Sequence, residues 1–179
     1  MMILVIGGAA SGKSAYAETL LCGLSGDAQR VYVATMEPHD AEALTRIAKH
    51  RQARAGRGFL TLERFADLPG LRVPHGSAVL LEDLGNLCAN ELYGPTGSGP
   101  DAEASVLRGV ESLRGQCAHL VIVSNEVFCG GTDYLGDTLS YLRLLGRLHQ
   151  TLARMSDGVC EVVCGIPLYH KGADKFAYP

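Results

Sequence analysis

The feature that most constrains this chain is a glycine-rich segment close to the N-terminus. Residues 7–14 read G-G-A-A-S-G-K-S and fit the pattern G-x-x-x-x-G-K-[ST] at every fixed position. The apolar run from Met2 to Ile6 predicts a buried strand before them, and the stretch from Ser14 to about Leu24 predicts a helix after them. Glycines let backbone N–H groups pack closely around a phosphate, and a helix N-terminus favours negative charge. This order predicts a phosphate-binding loop; the alternative is a glycine turn without a ligand.

Two residues of this loop have specific predicted roles. Lys13 would reach the β- and γ-phosphates of GTP or ATP, which makes it a candidate catalytic residue. The Ser14 hydroxyl would hold Mg²⁺. The candidate nucleotide-binding residues of the loop are Gly7, Gly8, Ala9, Ala10, Ser11, Gly12, Lys13 and Ser14.

Length and charge narrow the class of protein. The 179 residues predict one nucleotide-binding domain over 1–179, with a polar tail from about residue 172. The net charge of -3 comes from scattered charges, which argues against nucleic acid as a partner. The chain has no run of roughly 20 apolar residues, so we expect no membrane span and a cytoplasmic location. The six scattered cysteines are expected to be reduced core thiols.

Apolar runs and amphipathic stretches alternate along the chain. Strands are predicted at about 2–6, 30–34, 59–64, 78–83, 120–124 and 158–164, and helices at about 14–24, 41–54, 101–114 and 136–155. This alternation predicts an α/β fold of the P-loop NTPase type, RecA-like, with a mostly parallel central sheet flanked by helices. Ligands of such sheets bind beyond the carboxyl ends of the strands.

Two adjacent acids end the predicted strand at 78–83. Glu82 and Asp83 would lie at the same sheet edge as the phosphate loop, where nucleotide enzymes place an acid for Mg²⁺. Neighbouring side chains of a strand point to opposite faces, so one of the two would face the nucleotide. Both remain candidate metal ligands at this stage. The alternative is a strand end whose acids are only solvated.

The predicted helix at 41–54 carries a histidine among cations. His50 lies four residues from both Arg46 and Arg54, so the three share one face. Neighbouring cations favour the neutral imidazole, which can act as a nucleophile toward phosphorus. By its spacing alone, however, this helix is better explained as an amphipathic helix with a solvated basic face.

Several segments together resemble the bifunctional adenosylcobinamide kinase/adenosylcobinamide-phosphate guanylyltransferase family of cobalamin biosynthesis. The opening M-I-L-V-I-G-G-A-A-S-G-K-S and the later V-Y-V-A-T are similar to the start of that family. D-A-E-A-L-T-R-I-A-K-H-R-Q-A-R resembles its D-x-E-M-x-x-R-I-x-x-H-x-x-x-R, and F-L-T-L-E resembles its W-x-T-x-E. V-I-V-S-N-E-V, H-Q-T-L-A and G-I-P-L-Y-H-K follow in the family's order. The resemblance covers nearly the full chain.

The resemblance implies a two-step enzyme acting on adenosylcobinamide and its phosphate. A nucleoside triphosphate would phosphorylate adenosylcobinamide, and GMP from GTP would then pass through a guanylylated histidine to adenosylcobinamide phosphate. The family's histidine falls on His50, with Arg51 and Arg54 beside it. The resemblance also implies a homo-oligomer, a trimer or higher. It further implies a guanine nucleotide site lined by Ala34, Thr35, Met36, Glu63 and Glu82.

The chain departs from the family pattern at three segments. Residues 82–85 read E-D-L-G where the family has Asp/Glu-Cys-Leu/Ile-Thr, residues 128–133 replace G-x-G-I-V-P, and residues 141–143 replace F-R-D. We expect the corrinoid to bind near these loops. Two other hypotheses therefore stay open: a divergent P-loop kinase for another small alcohol, and a GTP-binding paralogue without catalysis.

Overall fold

Seven strands form a single sheet in the computed structural model, which describes residues 1–38, 44–45, 48, 52, 55–131 and 133–176. The strands are β1 (Met2–Gly7), β2 (Arg30–Ala34), β3 (Phe59–Glu63), β4 (Ala78–Glu82), β5 (His119–Asn125), β6 (Gly158–Val163) and β7 (Ile166–Lys171). Their order across the sheet is β3-β2-β4-β5-β1-β6-β7. All neighbours are parallel except β6 and β7. The prediction of a mostly parallel sheet is confirmed.

Four helices whose bounds lie within the described residues cover the two faces of this sheet. They are α1 (Lys13–Ser25), α2 (Leu84–Tyr93), α3 (Ala102–Gln116) and α4 (Gly136–Met155). Alternate residues of β1 enter two different cores: Met2 and Leu4 pack with residues of α2, α3 and α4, whereas Ile3 and Val5 pack with residues of α1. Such a strand is apolar throughout because both of its faces are buried. None of the helices in the described part of the chain is long and apolar enough to cross a bilayer.

Helix α2 and strand β7 are absent from the sequence prediction. Helix α2 begins directly after β4, and Asp83, for which the sequence analysis considers a metal ligand or a solvated acid, is its N-cap. Strand β7 contains Pro167, which weakens a strand pattern but is tolerated at the edge position that β7 occupies. A short 3-10 helix at Ala173–Phe176 then places Phe176 in the core on the α1 side.

The cysteines divide by position. Cys88 and Cys160 are buried, as expected for core thiols, but Cys129 and Cys164 are exposed. Both exposed cysteines lie outside the regular elements, Cys129 after β5 and Cys164 between β6 and β7. The expectation of core thiols is wrong for these two because the apolar strands around them end before they are reached.

The predicted helix at 41–54 falls mostly outside the described residues. Leu44, Thr45, Ala48 and Gln52 are described, and all four are helical. His50 and its neighbouring arginines are not among the described residues.

Candidate nucleotide site

The glycine-rich loop joins the end of β1 to the start of α1, as predicted. Gly12 has a φ of 89° and is the N-cap of α1, a conformation that favours glycine. The Nζ of Lys13 donates a hydrogen bond to the Gly8 carbonyl at 3.1 Å, so the side chain folds back over the loop. A Cβ at Gly7 would lie 2.7 Å from the Val162 carbonyl oxygen. Glycine at position 7 thus lets the loop pack against β6, and the loop ends at the N-terminus of α1, where unsatisfied N–H groups favour an anion.

The turn between β6 and β7 supports this loop from the side. Cys164 and Gly165 have φ values of 51° and 81°, as in the two-residue hairpins that match the strand twist. The N–H of Gly165 donates to the Ser11 carbonyl at 2.8 Å. A Cβ at Gly12 would lie 3.3 Å from the Gly165 Cα. Sequence reasoning missed this contact, and the only local signal was a Cys-Gly pair between two apolar runs.

Ser14 and Glu82 lie in direct contact at the carboxyl edge of the sheet. The Ser14 hydroxyl donates to Oε1 of Glu82 at 2.6 Å. Glu82 is half-buried as a residue, but its Oε2 is buried and has no hydrogen-bond partner within the described ranges. Burial, followed by the nearby Asp83, raises the pKa of Glu82 to about 8. A buried carboxyl oxygen without a partner, beside a hydroxyl, is a donor set that suits Mg²⁺, whose charge would favour the ionised carboxylate.

Asp83 has a different role from its neighbour. One carboxylate oxygen accepts from the Asn86 N–H at 2.6 Å and caps α2, and the other accepts from Nδ2 of Asn125 at 3.1 Å. The sequence left open which acid meets a metal, and the geometry favours Glu82 because only Glu82 contacts Ser14.

The predicted residues of β2 lie next to Glu82, and Glu63 of β3 lies one strand further away. In the sheet register, Ala34 pairs with Glu63 on one side and with Glu82 on the other. Thr35 follows Ala34 and is fully buried against the end of β4. Met36 is next along the chain and is half-buried. The strand ends thus bring Ala34, Glu63 and Glu82 together, whereas the predicted positions His50, Arg51 and Arg54 lie outside the described residues.

His149, which the sequence analysis assigns no role, lies behind the end of β5. The Nε2 of His149 is 2.6 Å from the Ser124 hydroxyl, and its ring meets Phe128 edge to face at 5.6 Å between centroids. Burial lowers the pKa of His149 to about 4, so the imidazole is neutral at physiological pH. This contact fixes α4 to the end of β5, where the Glu126 N–H donates to the Gly7 carbonyl at 2.9 Å.

Comparison with known proteins decides the family. Residues 3–169 match the family described as cobinamide kinase / cobinamide phosphate guanyltransferase, CobU. The chain belongs to this family. It is 35% identical to the bifunctional adenosylcobalamin biosynthesis protein CobU of Escherichia coli strain K12, over 93% of this chain and 97% of that protein. It is 33% identical to the bifunctional adenosylcobalamin biosynthesis protein CobP of Pseudomonas aeruginosa, over 96% and 98%.

A solved structure has a similar fold. The flagellar accessory protein FlaH from Methanocaldococcus jannaschii superposes with a TM-score of 0.50 at 10% identity, over 99% of this chain and 81% of that one. At this identity the likeness concerns the fold alone. It supports the predicted α/β fold of the RecA-like P-loop type.

One departure from the CobU family pattern has a visible structural reason. Gly85 stands where the family has threonine, and a Cβ at Gly85 would lie 2.9 Å from the Tyr141 hydroxyl and 3.0 Å from Nδ2 of Asn125. Tyr141 belongs to the other departing segment, at 141–143. The departing segments at 82–85 and 141–143 therefore meet in space beside Asp83.

Proposed function

We propose that this protein phosphorylates adenosylcobinamide and then transfers GMP from GTP, through His50, to adenosylcobinamide phosphate. The product is adenosylcobinamide-GDP, an intermediate in assembly of the cobalamin nucleotide loop. The observation that carries the proposal is the family match over residues 3–169. The intact loop and the Ser14–Glu82 contact support it, since they are the parts that nucleotide chemistry needs.

The loop residues would hold the triphosphate. The backbone N–H groups at the start of α1 favour an anion, and Lys13 would exchange its contact with the Gly8 carbonyl for the β- and γ-phosphates. Ser14 and Glu82 would hold Mg²⁺, which neutralises charge on the phosphates when it is bound. The aminopropanol hydroxyl would attack the γ-phosphorus, and a nucleoside diphosphate would leave.

His50 would carry the GMP in the second activity. A neutral imidazole nitrogen would attack the α-phosphorus of GTP, forming an N–P bond while pyrophosphate leaves and the ring gives up its proton. A phosphate oxygen of adenosylcobinamide phosphate would then attack the same phosphorus, break the N–P bond and regenerate the histidine. Arg51 and Arg54 would stabilise the charge that develops.

The remaining nucleotide contacts follow from the sheet register. Ala34, Met36 and Glu63 would line the guanine nucleotide site with Glu82, because the ends of β2, β3 and β4 are neighbours. Thr35 would belong to the same site. A homo-oligomer of three or more subunits and a cytoplasmic location stay predictions.

The proposal is tested by incubating the protein with α-labelled GTP and Mg²⁺. We expect label on the denatured protein that survives alkali and is lost in acid, as a phosphoramidate requires. His50→Ala should reduce labelling to background, and His75→Ala, which changes an exposed histidine, should not. Conversion of cobinamide to its phosphate, measured separately, reports the kinase activity. GTP binding without label would contradict the transferase proposal, and equal labelling of His50→Ala would contradict the role of His50.

A further inference from the structure

We infer that Thr35 is a positioning residue for Glu82. It forms hydrogen bonds with backbone groups of Glu82 and Asp83 and so holds the Glu82 carboxylate against Ser14. The inference rests on the proposed function, because it concerns the phosphate and metal end of that nucleotide site. It gives Thr35 an indirect role, through Glu82, in a site that sequence reasoning assigned it to line.

Three hydrogen bonds carry the inference. The Thr35 N–H donates to the Glu82 carbonyl at 3.0 Å. The Thr35 hydroxyl donates to the Asp83 carbonyl at 2.7 Å and accepts from the Asp83 N–H at 2.7 Å. The Glu82 carbonyl and the Asp83 N–H belong to one peptide group, so Thr35 holds that group at both its donor and its acceptor. The single proton of the hydroxyl is directed at the protein and away from any ligand.

The position of these hydrogen bonds in the fold explains why the Asp83 N–H needs a side chain as its partner. Strand β4 ends at Glu82, and α2 begins at Leu84, so neither ladder nor helix supplies a partner for the Asp83 N–H. Thr35 is fully buried and Asp83 is 7% exposed, so water cannot easily take the place of the hydroxyl. Removing the hydroxyl would leave a buried N–H unpaired at the residue that follows Glu82.

Loss of the Thr35 hydroxyl should therefore weaken the binding of Mg²⁺. Mg²⁺ demands nearly ideal geometry from its oxygen ligands, so a shift of the Glu82 backbone weakens metal binding more than it weakens contacts of the loop with phosphate. The Glu82 side chain itself accepts a hydrogen bond from the Ser14 hydroxyl. The loop amides and Lys13 do not depend on Thr35, since they lie on β1 and α1.

The experiment compares GTP affinity of the full chain in EDTA with its affinity across a Mg²⁺ titration. Thr35→Val removes the hydroxyl with little change of shape, Thr35→Ser retains it, and Glu82→Gln serves as the reference for loss of the metal ligand. We expect Thr35→Val to raise the half-saturating Mg²⁺ concentration about 10-fold. Its GTP affinity in EDTA should change less than about 2-fold, since the loop is intact. Thr35→Ser should behave like the wild type.

A second control separates positioning from general stability. Ser156→Ala removes another buried hydroxyl, one that donates to the Leu152 carbonyl at 2.7 Å at the end of α4. It should lower the melting temperature without changing the Mg²⁺ dependence. If Thr35→Val does not fold, Thr35→Ala is titrated in its place. An unchanged Mg²⁺ requirement, or an equal loss of GTP affinity with and without metal, would overturn the inference. Wild-type protein that binds no GTP at all would instead overturn the proposed function.

Discussion

At the scale of single residues, the carboxyl edge of the sheet is held together by polar side chains with defined hydrogen-bond partners. Asp83 caps α2 and accepts from Asn125, and Ser14 donates to Glu82. Buried polar groups are costly unless they are paired, so each of these positions tolerates few residue types. Glu82 and Ser11 are exceptions at this edge, because Oε2 of Glu82 and the Ser11 hydroxyl have no partner in the described part of the chain.

Gly85 offers a residue-scale test of this packing. Gly→Ala inside a helix ordinarily stabilises by up to about 1 kcal/mol. Here the new Cβ would lie 2.9 Å from the Tyr141 hydroxyl and 3.0 Å from Asn125 Nδ2, so we expect Gly85→Ala to lower the free energy of unfolding by about 1 kcal/mol. Denaturant unfolding measures the change. Gly115→Ala is the matched control, since a Cβ at this position of α3 meets nothing within 4 Å.

Adding Tyr141→Phe to Gly85→Ala should recover part of the loss, because it removes one of the two crowded atoms. The double-mutant cycle should therefore show a coupling of about 0.5 kcal/mol or more. Gly85→Ala as stable as Gly115→Ala would show that Tyr141 moves aside at no cost.

At the scale of elements, Lys171 of β7 links the C-terminal end of α4 to the sheet through hydrogen bonds. The Nζ of Lys171 donates to the carbonyls of Ala153, Arg154 and Ser156, at 3.1, 3.1 and 2.5 Å. These carbonyls lie at the C-terminus of α4, where the helix has unsatisfied acceptors and partial negative charge. Lys171, which ends the G-I-P-L-Y-H-K segment, therefore has a structural role as a helix cap.

Replacing this cap should destabilise the protein. We expect Lys171→Met to lower the free energy of unfolding by about 1 kcal/mol, with a smaller loss at high salt. Thermal or denaturant unfolding at two salt concentrations measures it. Lys175→Met is the control, because Lys175 pairs only with the exposed Asp174 among the described residues and such pairs contribute little. Equal losses in the two variants would argue against a specific cap.

At the scale of the whole molecule, the sheet order decides which residues share a site. Strand β1 lies between β5 and β6, so the loop that follows it meets the Cys164–Gly165 turn and the residues after β5. Strand β4 lies between β2 and β5, so Thr35, Glu82 and Asn125 come from three separate parts of the chain. Ligand binding at this edge therefore depends on the fold as a unit.

His149 makes one contribution to the pH dependence of global stability, and Glu82, whose pKa is raised to about 8, makes another of opposite sign. The pKa of His149 is lowered to about 4 in the folded protein, below the ordinary value of 6.5, so the unfolded chain binds a proton that the native one does not. The contribution of His149 to the free energy of unfolding should therefore fall as pH drops from 6.5 to 4, by about 2 kcal/mol after allowance for its partial exposure. Denaturant unfolding at several pH values measures it. The difference in free energy of unfolding between the wild type and His149→Gln should change across this window, and parallel curves would contradict the assignment.

How much of the structure can be predicted from the sequence depends on how local each sequence pattern is. The loop, the six parallel strands and three of the helices follow from patterns within a few residues, and the family resemblance from ordered segments over nearly the whole chain. Helix α2 was missed because it is short and its cap, Asp83, also fitted a metal site. Strand β7 was missed because its proline and its two-residue turn give weak signals, and only pairing with β6 stabilises it.

The sequence by itself determined that a phosphate loop follows the first strand of an α/β fold, because apolar periodicity and glycine placement are local properties. It also determined that Glu82 and Asp83 end a strand at the ligand-binding edge. Only the tertiary structure distinguishes the contacts that the two acids make. Strand pairing turns Glu82 toward Ser14 and lets Thr35 and Asn125 engage Asp83, contacts between residues 42 to 68 positions apart. Such contacts arise from packing of distant segments, so no local pattern specifies them.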